Sequence, residues 1–120
     1  ASLPLVDGGQ RRADVDAAKA RLARAEAEAQ VVQQTVIQEV VGAWLTLQSM
    51  SETKEAAAVG VLAAKEAYRL ADLRYNAGKS VAAERLDALS ALTRAQGNLA
   101  QSVADLVVAR AKLHLALGLR

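Results

Sequence analysis

The 120-residue sequence predicts an all-α protein, a long coiled-coil-like antiparallel helical hairpin with arms of unequal length. Three observations point there. The chain has no Phe, one Trp and two Tyr, while roughly a quarter of it is Ala. Large side chains that would fill a globular core are therefore scarce, and small ones suited to closely approaching helices abound. The single proline is Pro4, so no later residue forbids a helical hydrogen-bond ladder. Two stretches with apolar residues three and four apart flank one strong break, Asn76-Ala77-Gly78-Lys79-Ser80.

Residues 1–9, ASLPLVDGG, lack helix character: Leu3 and Leu5 alternate around Pro4, and Asp7-Gly8-Gly9 is a turn signal. They are expected to be a strand end or linker. A long helix is expected over 10–75, where Val61, Ala64, Tyr68, Ala71 and Tyr75 keep the three/four repeat and Glu66 and Arg69 form a surface i,i+3 pair. Two features compete with continuity. Ser49-Met-Ser-Glu52 has the capping-box pattern, and Gly60 is a poor helix former. A new helix at Ser49 would give a three-helix bundle, but neither Pro nor a Gly/Asn stop precedes it.

At the break, Gly78 can take the left-handed conformation that ends a helix, and Ser80 is a good N-cap for the next. The returning helix is expected over 81–118, with a seam of Leu89, Leu92, Leu99, Val103, Leu106, Leu113 and Leu117 interrupted by Gln96 and Arg110. At 1.5 Å per residue the arms would extend ~100 Å and ~55 Å, leaving about 40 Å of the first arm bare. Alanines on several of its faces suit neighbours on more than one side. Physically, such a chain is a piece of something larger or one subunit of a helical assembly.

Several function classes find no support. Gly78-Lys79-Ser80 ends like a phosphate-binding loop, but Leu73 occupies the first-glycine position and a helical pattern, not a strand, leads in. The formal charge is +2, with Arg and Lys interleaved among Glu and Asp, and aromatic stacking groups are lacking, so no nucleic-acid footprint is read. No apolar run approaches the roughly 18 residues of a membrane-spanning helix. No signal peptide is read, so the ends give no address. Without Cys and with one His, no metal centre or cofactor site is expected, and no catalytic constellation is present.

Four segments together carry a family resemblance: LPLVDGGQRRADVDAAKARL, QQTVIQEVVGAWLTLQ, AYRLADLRYNAGKSVAAERLDALSALTRAQGNLAQS and the terminal LHLALG. In that order and spacing the chain resembles the TolC-type outer-membrane efflux proteins of Gram-negative bacteria along nearly its whole length. The resemblance implies a protomer of two repeats, three protomers forming an outer-membrane β-barrel continued by a periplasmic α-helical barrel. This single fragmentary domain would then cover the exit from a barrel strand (1–9), a long tunnel helix (10–75), the periplasmic tip turn (76–80) and the returning helix (81–118), within the C-terminal repeat. It also implies passive conduction of drugs, metals or polypeptides in tripartite efflux or type I secretion. The implied partners are a periplasmic adaptor and an inner-membrane transporter, with contact to the outer membrane through regions outside this chain.

The resemblance further implies roles at the tip. Glu84 and Asp87 match the acids that ring the narrowest part of the pore, and Tyr75, Asn76, Gly78, Lys79 and Ser80 match the adaptor-facing turn. Ser80 stands where some members carry arginine, which puts that ion-pair lock in doubt, and Arg85 between the acids would offset part of their charge. The ordinary structural readings stand beside these. Acids near a helix N-terminus complement its dipole while facing solvent, Tyr68 and Tyr75 share a stripe suited to packing, Trp44 is a packing anchor, and His114 complements a helix C-terminus. The rival functions are the helical hairpin of a periplasmic adaptor, which tends towards equal arms, and a scaffolding coiled coil, which needs no strand-like opening.

Overall fold

The computed structural model describes the backbone of residues 4–119 and side chains from Gly8 to Leu119. Two helices account for the described chain, α1 (Pro4–Asn76) and α2 (Ala82–Ala116), and no strand occurs among the described residues. The chain divides into a first unit ending at Glu39 and a second beginning at Val40.

Residues 4–9, read from sequence as extended, lie within α1, and residues 1–3 lie outside the described residues. An extended segment must give its N–H and C=O groups to a neighbouring strand, whereas a helix satisfies them locally. Pro4 suits a first helical position because its missing N–H has no partner to lose there. The capping-box pattern at Ser49 does not start a helix either. Its carbonyl accepts a hydrogen bond from Thr53 Oγ1 at 2.9 Å inside uninterrupted α1, and Gly60 is likewise helical. The three-helix alternative is not adopted.

In the first unit every described side chain, from Gly8 to Glu39, is exposed. The helix there is supported by its own ladder and by local contacts such as the i,i+4 pair Arg24 Nε to Glu28 Oε1 at 2.8 Å.

The second unit is a two-helix hairpin. On α2 the least exposed positions include Arg85, Ala88, Leu92, Ala95, Leu99, Ser102, Leu106, Ala109, Leu113 and Ala116, an unbroken three/four repeat, with Asp105 half-buried beside it. On α1 they include Val40, Ala43, Leu47, Met50, Ala57, Val61, Ala64, Tyr68 and Ala71. One set of alternate α2 positions is thus Ala or Ser, the other Leu with Arg85 at its end. The seam differs from the one read in sequence: Leu92, Leu99, Leu106 and Leu113 belong to it, but Leu89, Val103 and Leu117 lie on its flank with 41, 41 and 50% exposure. Gln96 and Arg110 are exposed flank positions and do not interrupt it. Counting large apolar residues misplaced the stripe because every second seam position is small, which lets the backbones approach.

Ser102 and Ala109 alone are buried among the described residues, at 5 and 3% exposure. Ser102 returns its hydroxyl to the Leu99 carbonyl at 2.8 Å, so a polar atom in the seam is satisfied within its own helix. A groove beside the seam is lined by Thr53, Ala57 and Gly60 of α1 and by Ala95 and Ser102 of α2. The exposed pair read from sequence forms with two contacts, Arg69 Nε to Glu66 Oε2 at 2.9 Å and Arg69 Nη2 to Glu66 Oε1 at 2.7 Å. The hydrogen bond from Arg69 lowers the Glu66 pKa, so whatever the pair contributes is present above the ordinary Glu range and lost as pH falls through the lowered value.

Two glycines with opposite expectations test this backbone. Gly78 has φ +70° while Gly60 is an ordinary helical residue, and a Cβ at either would meet nothing within 4 Å. Gly78→Ala is expected to destabilise the hairpin by roughly 1–2 kcal/mol through left-handed strain. Gly60→Ala is expected to stabilise it by about 1 kcal/mol through helix propensity. Urea unfolding followed by helical circular dichroism reads both signs.

Candidate functional site at the hairpin tip

The tip is built by a helix-ending motif of Gly78. Lys79 N–H donates to the Arg74 carbonyl at 2.8 Å, and Gly78 N–H donates to the Tyr75 carbonyl at 2.9 Å. This six-to-one and five-to-two pair around a left-handed glycine satisfies carbonyls that α1 would otherwise leave orphaned. The same pattern recurs at the end of α2, where Leu119 N–H donates to His114 O at 2.9 Å, Gly118 N–H donates to Leu115 O at 3.0 Å, and Gly118 has φ +71°.

The start of α2 differs from the sequence expectation. Its N-cap is Val81, extended at φ −88° and ψ 156°, with no side-chain capping bond. Ser80 is one residue too early to cap, and its Oγ is buried without a hydrogen-bond partner. The backbone bond from Glu84 N–H to Val81 O, 3.1 Å, closes the first turn instead.

Across the turn a five-residue cluster joins the arms. Arg85 Nε lies 2.7 Å from Asp72 Oδ1, a close ion pair rather than an aligned hydrogen bond. The Arg85 guanidinium also stands 5.4 Å from the Tyr75 ring centroid, within cation–π range. Asn76 Nδ2 donates to the other Asp72 oxygen at 3.2 Å. The Tyr68 hydroxyl first, and the Asp72 charge second, favour the charged form of Arg85 and raise its pKa. Tyr68, Asp72 and Tyr75 sit at i, i+4 and i+7 of α1, so one helical face presents all three to the first turn of α2.

This arrangement sorts the residues singled out in sequence. Tyr75 and Asn76 belong to the clamp, Gly78 makes the turn, Lys79 is exposed, and Ser80 is half-buried. Glu84 and Asp87 are exposed on α2, on either side of Arg85, and neither forms an ion pair among the described residues. Arg85 is engaged across the hairpin by Asp72, a partner that sequence reading missed. The available signal was Asp72 on the same stripe as both tyrosines, opposite a basic residue at a seam position. No group of three or more His, Cys, Asp or Glu suited to a metal occurs among the described residues. Trp44, read as a packing anchor, is 54% exposed.

Arg85→Gln is expected to loosen the tip. Amide exchange of residues near the turn should accelerate, and the unfolding midpoint should fall at low salt by more than at high salt, because a solvent-accessible ion pair is screened.

A sequence profile described as outer membrane efflux protein matches residues 1–119. The chain is 32% identical over 116 residues to a nodulation protein T of Rhizobium leguminosarum bv. trifolii, an alignment covering 97% of this chain and 25% of that protein. It is 29% identical over 115 residues to a nodulation protein T of Rhizobium leguminosarum bv. viciae, covering 96% of this chain and 24% of the relative. The chain therefore spans about a quarter of the length of these curated relatives. No solved structure matches. The profile covers both helices and the Gly78 tip together, and the chain belongs to the outer membrane efflux protein family.

Proposed function

We propose that the chain is a segment of a trimeric outer-membrane export duct serving tripartite efflux or type I secretion, a passive conduit for drugs, metals or polypeptides. The observation that carries this reading is a family-matched helical hairpin whose seam buries little and whose first unit is bare. Among the described residues no large side chain is fully buried. Such helices gain their stability by packing against others, which a closed helical barrel supplies.

In this reading the hairpin lies in the periplasm and residues 1–9 lead out of the outer-membrane barrel. None of the described helices is long and apolar enough to cross a membrane itself. The tip residues Tyr75, Asn76, Gly78, Lys79 and Ser80 meet the periplasmic adaptor, which couples the duct to an inner-membrane transporter. No reaction is catalysed, and selectivity comes from pore width and lining charge. Family membership favours the duct over the adaptor hairpin and the scaffolding coiled coil.

Glu84 and Asp87 are the constriction residues. They stand three apart near the start of α2, and because Asp72 engages Arg85, their charge is not cancelled in a direct pair. Threefold repetition would place a ring of carboxylates at the entrance, attracting cations. Single-channel recording of the full-length trimer tests this: Glu84→Gln with Asp87→Asn should lower cation preference and change conductance. Unaltered selectivity and conductance would remove the acids from the pore.

A further inference from the structure

The two flanks of the α2 seam differ in chemistry. Taking Arg85, Leu92, Leu99 and Leu106 as heptad position a and Ala88, Ala95 and Ser102 as d leaves positions g and c on one flank and e and b on the other. The first flank holds Glu84, Asp87, Arg94, Asn98, Gln101 and Asp105, and over about 30 Å only Ala91 breaks its polar run. Val108 ends that run. The second flank carries Leu86, Leu89, Val103 and Val107, and its Thr93 donates its hydroxyl to the Leu89 carbonyl at 3.0 Å. α1 follows the same division. Thr46, Thr53 and Gly60, at seven-residue steps, line grooves with Asn98 and Asp105, whereas Tyr68 and Tyr75 line one with Leu86 and Leu89.

We infer that the polar flank is the channel wall continued inward from Glu84 and Asp87, and that Arg94 sets a basic band beyond the carboxylates that restrains their cation preference. The inference rests on the duct reading and on the constriction it assigns to the two acids. Arg85, Leu92, Leu99 and Leu106 recur at every seventh position of the seam, so residues seven apart keep one orientation toward α1 as the hairpin coils. Asp87, Arg94 and Gln101 are one such series, and Glu84, Ala91, Asn98 and Asp105 are its neighbour. Whatever space Asp87 faces, Arg94 faces too.

No ion pair engages Arg94 among the described residues. The positions three and four away on α2 are Ser90, Ala91, Gly97 and Asn98, so its own helix offers it no neighbouring carboxylate. It stands ~10 Å along the helix from Asp87, a little more than the ~8 Å Debye length at physiological salt. At that spacing a permeating ion meets two bands of opposite sign in turn, carboxylates first and the guanidiniums of the three protomers next. A cation drawn in by the acids is opposed one band later, and an anion meets the reverse order. Beyond Arg94 the wall turns to the amides of Asn98 and Gln101, and Gln101 Nε2 donates to Asp105 Oδ1 at 2.9 Å. The leucines and valines of the other flank have the chemistry of a surface that further helices cover.

Reversal potentials of single channels of the full-length trimer in a salt gradient read the cation-to-anion permeability ratio, each variant first being confirmed as a trimer. Arg94→Gln is expected to raise that ratio roughly twofold or more, and Arg94→Lys, which keeps the charge, to leave it at the wild-type value. A pair matched in height separates the flanks. Asn98→Glu should raise the ratio, whereas Gln96→Glu, on the other flank, should not. An unchanged ratio in Arg94→Gln, or Gln96→Glu acting as strongly as Asn98→Glu, would overturn the inference. If Glu84→Gln with Asp87→Asn shifts the ratio in the same recordings, the duct reading survives that outcome. A full-length protein that forms no channel would overturn both.

Discussion

Everything in the second unit depends on one seam in which α2 alternates a leucine with an alanine or serine. Small side chains at Ala88, Ala95, Ser102, Ala109 and Ala116 let the two backbones come close, and the intervening leucines fill the space beside them. Such a seam specifies register, because shifting either helix by a few residues takes the leucines of α2 away from the α1 positions that accommodate them and leaves small residues facing gaps. It also buries little, since only Ser102 and Ala109 among the described residues fall below a tenth exposed. The hairpin is therefore geometrically definite but weakly covered, a combination suited to a component that meets further helices.

The tip follows from the same seam carried to its end. At Arg85 the leucine series gives way to a cation, and α1 answers with Asp72 and Tyr75 in place of an aliphatic partner. The cluster ties the last turns of α1 to the first turn of α2, where the seam runs out, while the glycine motif closes the carbonyls of α1. Because these contacts are only partly buried, they position the turn more than they stabilise the fold. Glu84 and Asp87 are exposed and without an ion-pair partner among the described residues, which leaves their charge uncancelled there.

Much of this was legible in the sequence for stated physical reasons. Gly78 announced the turn because few other residues take positive φ without strain, and Pro4 as the sole proline left the rest free to be helical. The stripe Val61, Ala64, Tyr68, Ala71 was readable because large and small apolar residues share it. The α2 seam was only half readable: Leu89 and Val103 look like core by hydrophobicity, while the positions that face α1 include Ala and Ser. Ser80 looked like a cap because its chemistry fits, but the glycine motif consumes one more residue before α2 begins. The Arg85–Asp72 pair joins residues thirteen apart on different helices, a contact that local spacing rules do not reach.

The most direct test of a narrow closed seam beside a bare first unit is native-state hydrogen exchange at a dilution where the chain is monomeric. Amides of residues 40–76 and 82–116 should open together with a common free energy, while residues 8–39 exchange at markedly lower protection, as helix without tertiary cover does. Equal protection along the whole of α1, or protection greatest in residues 8–39, would contradict that claim.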